Sequence, residues 1–294
     1  MTPKDILLAA VVIIAWGVNF VIIKVGLDGV PPMLLGALRF MLAAFPAILF
    51  IRRPDMPLRW LLAYGLTISL GQFAFLFSAM YVGMPAGLAS LVLQAQAFFT
   101  LGFAALFIGE TVRRSSLIGL VIAAAGLLLI GSESGRAFTL AGFVLTLCAA
   151  AMWGLGNVVT KRIGKVNLVS LVVWGSLIPP LPFLALSLML EGPAQIETAL
   201  RSISLSSVLA IAYLAFIATL LGYGLWSRLL SRYPASQVAP FSLLVPVVGL
   251  SSAWLFLGEA LSSVQWVGAA IVMLGLLINV FGPRLLQQLR GATA

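Results

Sequence analysis

Residues 60–109 read WLLAYGLTISLGQFAFLFSAMYVGMPAGLASLVLQAQAFFTLGFAALFIG and contain no charged side chain. A helix that spans a membrane needs about 20 mostly apolar residues, so this run is long enough for two spans. Val82-Gly83-Met84-Pro85-Ala86-Gly87 predicts the turn between them, because glycine and proline favour a break in a helix. The run therefore predicts a hairpin of two helices that crosses a membrane twice.

Comparable apolar runs fill the rest of the 294-residue chain. Further runs without charge occupy 6–23, 115–132, 137–160, 166–190, 202–227, 233–258 and 260–283, and the run 32–51 is interrupted only by Arg39. Together they predict an all-α polytopic membrane protein with ten transmembrane helices, since the runs lack the alternation of barrel strands. Only 9% of the residues are charged, against about a quarter in soluble domains. This composition excludes a soluble enzyme, a disordered tail and a nucleic-acid module.

The basic residues predict how the chain is oriented. Ten spans put both termini on one side, and if that side is the cytoplasm, thirteen Lys and Arg residues fall in the inner connections. Only Arg136 and Arg201 fall in the outer connections. Because inner loops are enriched in Lys and Arg, we expect both termini to be cytoplasmic. The net charge of +9 is then explained by topology, and no nucleic-acid partner is expected.

The sequence contains an internal repeat. Trp16-Gly17-Val18-Asn19 resembles Trp153-Gly154-Leu155-Gly156-Asn157, and Phe107-Ile108-Gly109-Glu110 resembles Phe256-Leu257-Gly258-Glu259. The second match continues at a constant offset of 149, from Gly119 and Gly126 to Gly268 and Gly275. The halves are 1–135 and 136–294, each with five spans. Because five is odd, the second half should be inverted, as is typical of transporters. A duplicated scaffold without transport activity is the alternative.

The second half also carries motifs in a fixed order. They are Gly222-Tyr223-Gly224-Leu225-Trp226, Pro234-Ala235-Ser236, Leu244-Val245-Pro246 and Leu257-Gly258-Glu259. This ordered set resembles the drug/metabolite transporter superfamily in its ten-helix EamA-type form. The resemblance implies two inverted repeats, a central cavity built mainly from helices 1, 3, 4, 6, 8 and 9, a location in the bacterial inner membrane, and export of small metabolites.

Helix 4 departs from the family pattern. Ala97 stands where the family often has proline, and Gln94 and Gln96 lie beside it. This arrangement resembles the amino-acid and metabolite exporter branch of the superfamily. We therefore expect a small-molecule substrate, an amino acid or a related metabolite.

Polar and aromatic side chains inside the spans are the candidate site residues, because a polar group in hydrocarbon is unfavourable without a partner. Asn19 shares a helix face with Trp16, and Asn157 shares one with Trp153. An asparagine amide can bind a carboxylate or an amino group, but it can equally form a hydrogen bond between helices. Both interpretations stay open for both residues.

Helix 4 offers two glutamines that should point to different faces, because they are two positions apart. At most one of them should face a cavity squarely. Gln94 and Phe98 share a face that suits an aromatic or aliphatic substrate. The full set of predicted substrate-binding residues is Trp16, Asn19, Gln72, Gln94, Phe98, Trp153, Asn157 and Tyr223.

Three charged residues need a separate interpretation. Arg39 lies within helix 2 and has no acidic neighbour at helical spacing. We favour a structural contact with helix 1 carbonyls over the alternative, a substrate carboxylate at the outer mouth. Glu110 and Glu259 follow glycines at span ends, and we expect each to tie a loop to the facing repeat.

Prolines mark the candidate hinges. Pro46 lies in helix 2, Pro179 and Pro180 in helix 7, and Pro246 in helix 9. Proline removes a backbone hydrogen bond and kinks a helix. These positions predict where the two repeats bend as they rock about a central site. For Pro179 and Pro180, a static kink near the outer end of the helix is the alternative.

The missing residue types also limit the chemistry. The chain has no histidine and a single cysteine, Cys148, and no Asp or Glu lies at mid-depth in a span. We therefore expect no catalytic residues, no metal site and no cofactor, and no carboxylate proton relay. The expected function is gradient-driven export of aromatic or other neutral amino acids by a monomer surrounded by membrane lipids. The alternatives are a drug or nucleotide-sugar carrier and a scaffold that transports nothing.

Overall fold

A computed structural model of the protein describes residues 1–291, with the side chains of all of these except 235, 236 and 283–291. Within that part of the chain, ten helices are long and apolar enough to cross a membrane. They are α1 (Pro3–Gly29), α2 (Pro32–Leu49), α3 (Leu58–Tyr81), α4 (Ala86–Ile108), α5 (Arg114–Gly131), α6 (Leu140–Ile163), α7 (Leu168–Leu190), α8 (Leu205–Arg232), α9 (Ala239–Leu257) and α10 (Ser263–Gly291). The prediction of ten transmembrane helices is confirmed, and α3 and α4 form the predicted hairpin.

The outer surface of the bundle is apolar. Leu106, Leu128 and Leu181 are each more than 70% exposed, and Trp254 and Leu255 are each 66% exposed. Large apolar surfaces on a folded protein mark contact with a membrane or a partner. Together with the lengths of the ten helices, this surface identifies a polytopic membrane protein.

Four of the helices are irregular in a way that the sequence did not predict. A π-helical segment occupies Gly65–Gly71 in α3, and another occupies Tyr213–Leu221 in α8. A 3₁₀ segment occupies Leu93–Ala95 in α4, and another occupies Ala239–Leu244 in α9. Because α3 corresponds to α8 and α4 to α9, the irregularities repeat between the two halves. Such segments change which way the side chains point, and π-helical turns often occur at functional sites.

The four candidate hinge prolines lie where helices are interrupted. The α-helical part of α2 ends at Ala44, just before Pro46. Helix α7 breaks after Gly175 and resumes at Pro180, directly after Pro179. Pro246 lies in the first turn of the α-helical part of α9. Proline cannot donate a backbone hydrogen bond, which explains why the interruptions fall at these positions. Movement at these positions stays a prediction.

Helices α5 and α10 cross with their backbones in contact. A Cβ atom added to Gly119 would lie 2.5 Å from the Gly275 carbonyl oxygen, and one added to Gly126 would lie 2.7 Å from that of Gly268. Small residues of this kind allow close packing of membrane helices. The four glycines therefore pack two helices of the same chain against each other. Because Gly119 meets Gly275 and Gly126 meets Gly268, α5 and α10 run antiparallel.

One end of the bundle is sealed by packed side chains. Leu34, Phe77, Met80, Met84 and Leu88 are fully buried there, between the start of α2, the end of α3 and the start of α4. We call this the sealed end.

Carboxylates from the second half cap helices of the first half at the sealed end. Glu259 accepts hydrogen bonds from the backbone N–H groups of Ala86 and Gly87, both at 2.9 Å. Glu191 accepts one from the N–H of Leu34 at 3.2 Å. Negative charge is favourable at helix N-termini, so these contacts stabilise the seal. Glu259 thus ties its loop to the facing repeat, as predicted.

The opposite end, which we call the open end, is held by contacts at its edges. Glu110 is 43% exposed and pairs with Lys161 of α6 at 2.6 Å. Asp5 at the start of α1 accepts hydrogen bonds from Arg232 and Tyr233 at the end of α8. These two contacts connect α4 to α6 and α1 to α8 at this end of the bundle.

Candidate substrate cavity

A cavity of about 290 Å³ lies at the centre of the bundle. It contains seven of the eight predicted site residues: Trp16, Asn19, Gln72, Gln94, Trp153, Asn157 and Tyr223. They come from five of the six helices that the family resemblance implies, namely α1, α3, α4, α6 and α8, whereas α9 lines the cavity through Ser242 and Val245. Helices α2 and α7 contribute further wall residues. Thr160, Leu168 and Leu230 also line the cavity and belong to helix ends at the open end, so the cavity opens there.

Helix α4 differs from the sequence-based expectation. Gln94 and Gln96 both line the cavity, whereas Phe98 is buried in the core and does not. The 3₁₀ segment at Leu93–Ala95 explains the difference, because it turns about 120° per residue in place of about 100°. This overwinding brings residues 94 and 96 closer to one face and turns residue 98 away.

Aromatic rings form one wall. The ring of Trp16 lies 5.2 Å from that of Tyr223 and 5.3 Å from that of Trp226, centroid to centroid. The indole N–H of Trp16 donates to the carbonyl oxygen of Ala218 at 3.0 Å. Ala218 lies in the π-helical segment of α8, where the irregular backbone makes a carbonyl accessible. The irregularity therefore fixes the position of the aromatic wall.

The amide of Asn157 forms hydrogen bonds between α6 and α4. Its Nδ2 donates to Gln96 Oε1 at 2.9 Å and to Thr100 Oγ1 at 3.0 Å, both on α4. Of the two interpretations left open by the sequence, the structure shows the interhelical hydrogen bond for this residue.

Asn19 and Gln72 differ from Asn157 because each has an amide oxygen that is not paired between helices in the described part of the chain. Asn19 is 8% exposed and Gln72 is 3% exposed, and both line the cavity. Among the described residues, neither Asn19 Oδ1 nor Gln72 Oε1 has a hydrogen-bond partner. Buried polar atoms are normally hydrogen-bonded, so these two acceptors are candidates for contact with a substrate.

Arg39 also lines the cavity, in a place that the sequence did not predict. Its guanidinium donates to Thr219 Oγ1 of α8 at 3.1 Å and lies 3.9 Å from the ring centroid of Phe73 in α3. The expected contact with helix 1 carbonyls is not among its hydrogen bonds to described residues.

Several further wall residues escaped the sequence-based selection. Ser90 precedes Gln94 by four positions, and Tyr64 and Ile68 precede Gln72 by eight and four. Such spacing indicates a shared helix face, so it was a usable signal for all three.

Among the residues that the structure describes, no carboxylate lines the cavity. Arg39 is the single ionised side chain among the described residues that line it, and the rest of the lining is amide, hydroxyl, aromatic and aliphatic. Groups of three or more His, Cys, Asp and Glu that could hold a metal ion are also absent from the described part of the chain.

Comparison with known families gives two matches to one model. The EamA-like transporter family matches residues 3–132 and again residues 140–281. Together these ranges cover nearly the whole chain.

Similar curated proteins extend over the same length. A probable amino-acid metabolite efflux pump of Salmonella typhimurium is 53% identical over 99% of both chains. A protein of the same description from Escherichia coli K12 is 52% identical over 97% of both. An uncharacterized inner membrane transporter of Escherichia coli K12, YedA, is 26% identical over 92% of this chain and 88% of its own.

The fold also matches a solved structure. One crystal structure, described only as that of a protein, superimposes with a TM-score of 0.64 over 97% of this chain and 99% of its own, at 21% sequence identity. Ten apolar helices in the described part of the chain, a central cavity and two matches to one family model lead to the same conclusion: the chain belongs to the EamA-like transporter family and is a membrane transporter.

Proposed function

We propose that this protein exports neutral amino acids and related small metabolites across the bacterial inner membrane. The observation that carries the proposal is the cavity wall, where unpaired amide oxygens of Asn19 and Gln72 lie with Arg39 and the aromatic group around Trp16. Amides and an aromatic face suit a small molecule with polar groups and an apolar side chain. The efflux activity in the names of the two relatives that are more than 50% identical supports the same substrate class.

The size and charge of the cavity argue against a drug carrier and a nucleotide-sugar carrier. The cavity volume of about 290 Å³ lies at the small end of the roughly 300–1,000 Å³ typical of pockets for drug-sized ligands. A nucleotide sugar would place phosphates in the cavity, and one arginine is a weak match for several negative charges. An amino acid fits both the size and the charge.

Transport in this proposal follows the substrate gradient. A proton-coupled carrier normally uses a buried Asp, Glu or His in the pathway. The chain has no histidine, and the described lining contains no carboxylate. We therefore propose a facilitator.

Alternating access between two inverted repeats, 1–135 and 136–294, provides the pathway. The double family match and the antiparallel crossing of the equivalent helices α5 and α10 support the inverted arrangement. If both termini are cytoplasmic, the open end faces the cytoplasm and the sealed end faces outward. Rocking about Pro46, Pro179, Pro180 and Pro246 would then open the sealed end, with the protein acting as a monomer.

The direct test is flux into proteoliposomes. Purified protein is reconstituted and supplied with radiolabelled leucine, phenylalanine, serine and cysteine, with and without an imposed proton gradient. We expect saturable flux of at least one amino acid that does not need the proton gradient. Flux that strictly requires the gradient would contradict the facilitator, and a lack of flux with every member of the panel would contradict the proposed substrate class.

A cross-link at the sealed end tests alternating access. A Cβ atom at Gly87 of α4 would lie 3.2 Å from the Cβ of Ala253 in α9, which is close to disulfide range. We expect oxidation of the Gly87→Cys, Ala253→Cys pair, in a Cys148→Ser background, to abolish flux, and reduction to restore it. The two single-cysteine variants are the controls. Undiminished flux through the cross-linked protein would contradict the rocking mechanism.

A further inference from the structure

The proposed function counts Arg39 among the residues of the cavity wall but does not say which group of the substrate its buried guanidinium binds. Arg39 is only 2% exposed. A buried charge is costly unless an opposite charge or several hydrogen bonds compensate it. Across residues 1–291, no acidic side chain lies within salt-bridge distance of Arg39. The described part of the chain therefore buries the charge of Arg39 without a carboxylate to neutralise it.

The contacts of Arg39 fix its position but do not satisfy it. A guanidinium has five N–H donors, and Thr219 accepts from one nitrogen, Nη2. The ring of Phe73 lies 3.9 Å from the guanidinium carbon and that of Phe40 lies 5.2 Å from it. Within the described structure, Nε and Nη1 have no hydrogen-bond partner. The group is thus oriented by its neighbours and keeps donors free.

The same cavity holds free acceptors. Asn19 Oδ1 and Gln72 Oε1 are buried, line the cavity with Arg39, and lack partners among the described residues. An α-amino acid carries a carboxylate that needs donors and an ammonium that needs acceptors. The free donors of Arg39 and the free acceptors of Asn19 and Gln72, all in one cavity, therefore complement the two charged groups of a zwitterion.

We propose that Arg39 binds the carboxylate of the transported solute, while Asn19 and Gln72 accept hydrogen bonds from its ammonium group. This inference rests on the proposed function and narrows it. The transporter then requires a carboxylate, and it rejects amines, amides and esters of the same shape. A site built to bind a charged group discriminates strongly against an analogue that lacks it, because the buried partner is left unpaired.

Matched acid and amide pairs test the carboxylate requirement independently of transport. Binding of isovalerate and isovaleramide, L-leucine and L-leucinamide, and L-phenylalanine and L-phenylalaninamide is measured on the purified full-length protein. The readouts are tryptophan fluorescence, since Trp16 and Trp226 line the cavity, and thermal stabilisation. We expect each acid to bind about tenfold more tightly than its amide, or better.

The variants assign that preference to one residue. Arg39→Met keeps an unbranched side chain against Phe73 but removes the charge, and we expect it to lose the preference for acids. Arg59→Met is the matched control, because Arg59 lies at the start of α3 over the ring of Trp60, is exposed, and does not line the cavity. Should Arg39→Met fail to fold, Arg39→Lys keeps a positive charge and should retain the acid preference at lower affinity.

The outcomes separate this inference from the proposed function. Acid preference that depends on Arg39, without flux of any amino acid, would support the inference and contradict the function. Flux of amino acids that Arg39→Met leaves unchanged would support the function and contradict the inference. Equal binding of acids and amides to the wild-type protein would overturn the inference. Displacement of the acids by an equal concentration of chloride or phosphate would also overturn the inference, because it would indicate a general anion site.

Discussion

Asn19 in α1 and Asn157 in α6 occupy matching places in the two halves of the molecule, but their surroundings differ. Each lies near a glycine that lets its helix approach a partner closely. A Cβ atom at Gly17 would lie 2.5 Å from Val248 of α9, and one at Gly154 would lie 2.7 Å from Phe99 of α4. The offset of 149 relates Phe99 to Val248, so the two crossings use equivalent positions.

The difference lies in the residues that meet each amide. Asn157 bonds to Gln96 and Thr100, whereas the positions 149 residues later hold Val245 and Gly249, which offer no side-chain hydrogen-bonding group. Asn157 is therefore held by its neighbour helix, and Asn19 Oδ1 has no partner among the described residues. The backbone arrangement repeats but the side-chain hydrogen bonds do not, and the binding groups that we propose, Asn19, Arg39 and Gln72, lie on α1, α2 and α3.

The largest expected effect on stability comes from disrupting the two glycine contacts, α1 with α9 at Gly17 and α6 with α4 at Gly154. Gly154→Val places its Cβ 2.8 Å from the backbone nitrogen of Thr100, which cannot move independently of α4. We expect a loss of about 3 kcal/mol in the free energy of unfolding, since overpacking of this kind displaces backbone. Gly17→Val should lose a similar amount, because its added Cβ would lie 2.5 Å from the Cβ of Val248, which moves only with the backbone of α9. Thermal unfolding in detergent measures both. Gly102→Val is the control, because no atom lies within 4 Å of its added Cβ.

A smaller effect should separate the two asparagines. Asn157→Ala removes two hydrogen bonds and leaves Gln96 Oε1 without its donor, so we expect a loss of about 1–3 kcal/mol in stability. Asn19→Ala removes an oxygen that has no partner among the described residues, so its stability should stay within about 0.5 kcal/mol of wild type, while transport falls. Melting temperatures and flux are measured for both. Equal destabilisation by the two substitutions would contradict the comparison.

Val245→Gln should make the two halves more alike. The new amide stands where Gln96 stands in the first half, and it supplies Asn19 with a partner. We expect affinity for the amino acid to fall about tenfold, the equivalent of one hydrogen bond, while the melting temperature is unchanged or higher. Val245→Leu is the size control. Unchanged affinity in Val245→Gln would show that Asn19 takes no part in binding.

The smallest effects concern the two glutamates at the same offset. Glu259→Gln weakens the cap on Ala86 and Gly87 at the sealed end, and we expect a cost of about 1 kcal/mol to the sealed state. Ala253 is only 1% exposed and lies against Gly87 at the sealed end, so accessibility of an Ala253→Cys variant to a water-soluble thiol reagent, in a Cys148→Ser background, should rise accordingly. Glu110→Gln breaks an exposed ion pair with Lys161, which is worth less than about 1 kcal/mol, and it should leave the sealed end unchanged.

The sequence predicts the spans well because hydropathy and the lengths of the runs depend on composition alone. It also places seven of the eight proposed site residues in one cavity, since intramembrane polar and aromatic side chains are few. It fails at Phe98 because the 3₁₀ segment of α4 changes the helical phase, and no local motif marks that segment. The sequence does not predict that Arg39 lines the cavity, because the residues around its guanidinium, Phe73 of α3 and Thr219 of α8, are distant in sequence and are brought together only by the fold.

The glycine crossing of α5 and α10 has a practical consequence for spectroscopy. With carbonyl oxygens only 2.5–2.7 Å from the added Cβ positions, no side chain separates the two backbones at the contact. Such a joint has no rotamers to rearrange, so it should keep one geometry while other distances in the molecule change. A pair of spin labels on the lipid-facing sides of these two helices would then serve as an internal ruler, against which displacements elsewhere during a transport cycle can be calibrated.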